Sequence, residues 1–161
     1  MAYPPIAVAN TLIAHHAASG GITHKRIQTL CYLLYGWSFP ILGKPLLTEA
    51  PEVWSEGPIF GRLFAQLSPY GDSLITEPVQ VKGCPAVPVE DTITHELIEW
   101  VDERHAGLPE ASLSLLAHGP NSPWRRVAEE HHFLLPDPVE IPQAVIAHHF
   151  TAQARQVSLI Q

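Results

Sequence analysis

Apolar positions along this chain fall into stripes of helical period, punctuated by proline and glycine. Ile6, Ala9, Leu12, Ile13 and Ala17 predict a helix over about 5–18, ended by Gly20-Gly21. Thr23 reads as the N-cap of a second helix over 24–39, with Ile27, Leu30, Cys31, Leu34 and Ser38 in one stripe. Its other side carries Tyr32, Leu33, Tyr35 and Trp37, and a helix apolar all round belongs at the centre of a fold. Lys25-Arg26 in its first turn oppose the macrodipole, a mismatch that the acids around Glu52 are placed to relieve.

The next stretch reads as an irregular connection up to Pro58. That proline, at the first helical position, is expected to open a short helix carrying Phe60, Leu63, Phe64 and Leu67. Residues 73–89 are rich in β-branched residues and proline, with a turn signal at Lys82-Gly83, and predict a small edge-like hairpin. Asp91 caps a helix to about His105, with Ile93, Leu97, Trp100, Val101 and Arg104 aligned. Short helices are expected at 109–118 and 123–132, the second capped by Ser122, and a final one at 142–155. The sum is a mainly α (α+β) fold: one compact multi-helix domain over 1–161 with a small β-hairpin. No repeat or linker divides it.

Composition agrees with a globular chain: 46% of residues are hydrophobic and 16% charged. The formal net charge of −7 disfavours nucleic acid as a partner, because phosphate contacts need clustered Lys and Arg. The densest basic groups are the dipeptides Lys25-Arg26 and Arg125-Arg126. The two cysteines, Cys31 and Cys84, suggest no disulfide framework, and Cys31 reads as a small buried hydrophobe. No apolar run approaches the roughly 20 residues of a membrane span, and the first residues lack the pattern of a signal peptide. A cytoplasmic protein without membrane contact is the expectation.

Three kinds of chemistry are candidates. Among ten histidines, six form adjacent pairs (His15-His16, His131-His132, His148-His149), but neighbours on a helix diverge by about 100° and rarely share an ion. "HELIE" at 95–99 places Glu99 where a zinc helix has its second histidine, so no metal or cofactor is expected. Ser112, Ser114 and His118 lack a nucleophile elbow. Glu49, Glu52 and Glu56 are close enough to converge, and a small hydrolase using Glu52, Glu56 and His118 is the enzyme alternative. Solvated acids paired with Lys25, Arg26 or Arg62 are the plainer reading of the same loop, and a backbone bond the plainer reading of His118.

One long stretch carries a resemblance. Ile22-Thr23, Lys25, Gln28, Leu30, Tyr32 and Gly36-Trp37 come first, then Gly43 to Leu46, Val53-Trp54, Gly57-Pro58-Ile59 and Tyr70-Gly71. Leu113-Ser114, His118 and Pro123-Trp124 follow, with Ala117 where the pattern usually has Thr. In order and spacing over about 5–150 this resembles the Panacea domain family, the SocA-like antitoxins also labelled GepA phage-associated proteins. The resemblance implies a mostly helical antitoxin that neutralises a cognate toxin by direct binding. One branch of the family implies an alternative, an adaptor that delivers its toxin to a cytosolic AAA+ protease. Lys25, Gln28, Tyr32, Gly57, Pro58 and His118 are the motif positions carried over. A binding module needs aromatic anchors within a polar rim, for which Tyr35, Trp37, Trp54, Phe60 and Trp124 are the candidates, each competing with a place in the core. The residues leave a homodimer open.

Overall fold

The computed structural model describes residues 2–82 and 89–157. Among them are seven α-helices and five short strands. Helix α1 (Pro5–His16) is followed by strand β1 (Ile22–Thr23) and the long helix α2 (His24–Leu42). Strands β2 (Glu52–Trp54) and β3 (Gly57–Ile59) precede α3 (Gly61–Leu67), β4 (Leu74–Ile75) and α4 (Thr92–His105). Then come α5 (Glu110–His118), α6 (Pro123–Glu130), β5 (Val139–Glu140) and α7 (Gln143–Gln156).

Helix α2 is the axis, as its all-round apolar sequence requires. Nearly every residue from Ile27 to Ser38 is buried, and α7, α5, α4 and α1 pack around it. The closest approach is at Gly36, where the Phe150 ring of α7 occupies the space that a Cβ would take. Trp37 meets both Phe150 and Trp100 edge-on at 5.4 Å between centroids, which joins α2, α7 and α4. Cys31 is fully buried, and burial pushes its thiol pKa far up, so it stays protonated packing material. Among the described residues, no helix is long and apolar enough to cross a membrane.

Three caps act as the sequence predicts. The Thr23, Asp91 and Ser122 side chains accept the backbone N–H of Arg26, Thr94 and Arg125, respectively. The charge mismatch at the start of α2 is resolved differently from expectation. Arg26 donates to the carbonyls of His105 and Leu108 at 2.7 and 2.9 Å, so a cation meets the C-terminal end of α4. The carboxylate beside the N-terminus of α2 is Glu110, bonded to the Thr23 hydroxyl, and not one near Glu52. Helix α2 also runs past Phe39, through Pro40, to a left-handed cap at Gly43 (φ 74°) that donates to the Phe39 carbonyl. Pro40 is tolerated because it falls in the last turn, where one lost backbone bond matters least.

The β structure departs most from expectation. Pro58 does not open a helix. It lies in β3 opposite Val53, and α3 starts three residues later at Gly61. Strands β2 and β3 form a hairpin around Ser55-Glu56, with Trp54 opposite Gly57. Gly57 has φ 123°, a conformation that L side chains rarely adopt. Strand β3 is an edge in the order β3-β2-β5, which accommodates a residue without an N–H. The hairpin expected at 73–89 is not formed by its first part: Leu74–Ile75 pairs with Ile22–Thr23. Its turn at Lys82-Gly83 and Cys84 fall partly or wholly outside the described residues. On either side of that gap, Asn10 exchanges two hydrogen bonds with the backbone of Val79, and Thr11 accepts from Val89 N–H. Two buried polar side chains of α1 thereby hold Val79 and Val89.

Candidate functional site

The motif residues Gly57 and Pro58 lie in the hairpin β2–β3. Trp54, at the end of β2, is half-buried, and its ring lies 4.8 Å from Phe64 of α3. Phe64 in turn lies 5.0 Å from His24 at the start of α2. Both indoles of this region are oriented by hydrogen bonds. Trp54 Nε1 donates to Glu52, and Trp124 Nε1 donates to the Trp54 carbonyl at 2.8 Å. Two depressions flank the hairpin, and Glu56, exposed at its tip, lines both.

The smaller depression, about 140 Å³, gathers residues from across the sequence. Lys25 and Gln28 of α2, Pro58 of β3, Phe64, and Ser114 and Ala117 of α5 line it. Gln28 is buried and clamps the backbone of Phe60, accepting its N–H at 3.0 Å and donating to its carbonyl at 3.3 Å. That clamp fixes the amide orientation, so Nε2 of Gln28 also presents a hydrogen to Nε2 of His24. His24 must therefore be the neutral Nδ1–H tautomer, and burial lowers its pKa in the same direction.

The larger depression is a groove of about 490 Å³ between the hairpin and the segment after α6. Trp54, Trp124, Phe133, Leu135, Pro136 and Pro138 form its apolar walls. His132 and Phe133 have φ of 52° and 58°, uncommon for such residues, and end α6 abruptly. Phe133 is left 53% exposed and Leu134 77% exposed beside the groove. These residues carry a signal that the helix pattern passes over: "FLLPDP" sets three apolar residues against two prolines in a stretch that is neither helix nor strand.

Of the five aromatics expected as anchors, four are buried. Tyr35, Trp37, Phe60 and Trp124 belong to the core, and Trp54 alone of the five keeps a partly open face. Tyr35 is held edge-on by Phe39 and Phe60, Trp37 by Trp100 and Phe150, and Trp124 by its bond to the hairpin. Of the motif residues, Lys25, Gln28 and Pro58 meet in the small depression, and Gly57 packs against His118 nearby. Tyr32 does not join them. It is buried against Phe150, which pushes its phenol pKa up.

Glu52 and His118 of the enzyme alternative are bonded elsewhere. Glu52 sits at the base of the hairpin, its carboxylate over Gly61 at the start of α3 and bonded to Trp54. Glu49 faces Arg62 at 3.9 Å. His118 Nδ1 donates to the Ser114 carbonyl at 2.6 Å, so that nitrogen is not free to take the Ser114 hydroxyl proton. Among the described residues no hydrogen bond joins any two of Glu52, Glu56 and His118, and no three His, Cys, Asp or Glu cluster as metal ligands would. Compared with protein-family models, curated proteins and solved structures, the chain matches none.

Proposed function

We propose that the chain is a protein-binding module whose working surface is the β2–β3 hairpin and the groove beside it. More specifically, it is an antitoxin of the Panacea type, neutralising a cognate toxin by direct contact. One observation carries the reading. Five of the six motif residues, Lys25, Gln28, Gly57, Pro58 and His118, meet around a hairpin whose other flank is an apolar groove with Trp54, Phe133 and Leu134 partly or largely open to solvent. A binding surface uses such apolar anchors within a polar rim, and contiguous exposed apolar area on a small protein marks interaction sites. Gln28 and Gly57, in this reading, are the scaffold that fixes the hairpin, and Trp54 is the contact.

Co-expression tests it. The product of the gene encoded beside this chain should arrest growth alone and not in its presence. Failure to relieve any neighbouring product overturns the antitoxin reading. Rescue that persists in a host without AAA+ proteases is expected for direct neutralisation, whereas loss of rescue there assigns the adaptor route instead.

A further inference from the structure

We infer that the groove beside the hairpin receives a basic, extended segment of the partner protein, with a lysine or arginine side chain laid on its aromatic walls. The inference rests on the protein-binding reading above and adds the chemistry of what binds.

Both indole N–H groups of the groove are already used inside the chain, Trp54 on Glu52 and Trp124 on the Trp54 carbonyl. Its open rings, Trp54 and Phe133, therefore offer faces and no indole donors, and ring faces attract cations. The chain uses rings of the groove in this way itself: the Arg125 guanidinium lies 5.7 Å from the centroids of both Trp124 and Phe133. Besides Arg125, already seated on Trp124 and Phe133, the charges at the rim are carboxylates. Glu56 lines the groove, and Asp137 lies between the lining Pro136 and Pro138. Both are exposed, and among the described residues neither is in a salt bridge, while Arg126 of α6 pairs with Glu130. A long cationic side chain satisfies both features at once, its aliphatic stem on the rings and its head at the carboxylates. The net charge of −7 favours approach of a basic segment.

The probe is a fluorescein-labelled peptide, acetyl-Gly-Leu-Arg-Leu-Lys-Leu-Gly amide, against the same peptide with Glu in place of Arg and Lys. Both are titrated with the full chain by fluorescence polarisation in about 150 mM salt, where long-range attraction is screened. The basic peptide should bind and perturb tryptophan fluorescence, and the acidic one should not. Glu56→Lys with Asp137→Lys should weaken binding by about tenfold or more, and so should Trp54→Ala, which keeps both charges. Glu99→Lys with Glu103→Lys, the same charge change on the exposed side of α4, should leave it within about twofold. Equal binding of the two peptides, equal weakening by the two double variants, or full binding by Trp54→Ala overturns the inference. A chain that relieves a toxin yet gives one of those outcomes loses this inference and keeps the antitoxin reading. One that binds the peptide at the groove and relieves no toxin loses the antitoxin reading and keeps the groove.

Discussion

The indole Nε1 of Trp124 donates to the main-chain carbonyl of Trp54 at 2.8 Å, across seventy positions of sequence. This bond ties the hairpin to α6 and sets one wall of the groove. Trp124→Phe keeps a buried ring and deletes the donor, leaving a partly buried carbonyl without its partner. Stability should fall by about 1–2 kcal/mol in urea unfolding, and tryptophan emission should report a more mobile Trp54. An unchanged midpoint would mean that the bond contributes nothing.

Gly36→Ala tests the α2–α7 contact, and its sign is informative. Alanine in place of a helical glycine ordinarily adds about 1 kcal/mol. Here the new Cβ would lie 2.2 Å from the Phe150 ring, so a loss of about 1–3 kcal/mol is expected. Phe150→Leu in the same chain should relieve part of it, giving a double-variant penalty smaller than the sum of the two.

Arg26→Met removes the guanidinium that donates to the carbonyls of His105, the last residue of α4, and of Leu108 beyond it. Thermal or urea unfolding should show a loss of about 1–3 kcal/mol. Arg26→Lys should recover only part of it, because one ammonium does not reproduce a planar fork reaching two separate carbonyls. Full recovery by lysine would reduce the contact to plain charge.

Stability should fall as pH falls from about 7.5 to about 5.5. Burial holds the pKa of His24 and His105 below the ordinary 6.5, and that of His149 likewise. Above 6.5 these rings are neutral in both states and the full stability is present. As pH drops through 6.5, the unfolded chain takes up protons that the folded chain refuses until its own lower pKa values are reached. Asp91, held at about 2 by hydrogen bonds from Tyr3 and Thr94, adds a separate loss only below its ordinary 3.8. Urea midpoints across this range, with imidazole titrations by NMR, check the sign; a midpoint that rises on acidification contradicts it.

What the sequence disclosed follows from how local each cause is. Caps at Thr23, Asp91 and Ser122 and the central place of α2 depend on neighbours within a turn or two, and all were legible. The hairpin at 52–59 was not. Proline after glycine marks a helix start and an edge strand equally well, and the choice is made by Val139, which pairs with Val53 from more than eighty positions away. The acids were misplaced: Glu52 lies over Gly61 at the start of α3, while the carboxylate at the start of α2 is Glu110. For the site, the motif positions could be named, but their meeting around the hairpin depends on α5 arriving beside it. Aromatic residues were the poorest guide, because Tyr35, Trp37, Phe60 and Trp124 become core only when other helices cover them. Phe133 and Leu134, open at the groove, were passed over because they lie outside any periodic stripe.

The central claim, that this chain works by holding a partner at the hairpin groove, is tested most directly by co-purification. The tagged chain and the neighbouring gene's product are expressed together in a host lacking AAA+ proteases, in wild-type and Trp54→Ala forms matched for folding by circular dichroism. The account predicts a stoichiometric complex with the wild type and its loss, together with loss of growth rescue, with Trp54→Ala. A Trp54→Ala chain that retains the complex and the rescue in full would contradict it.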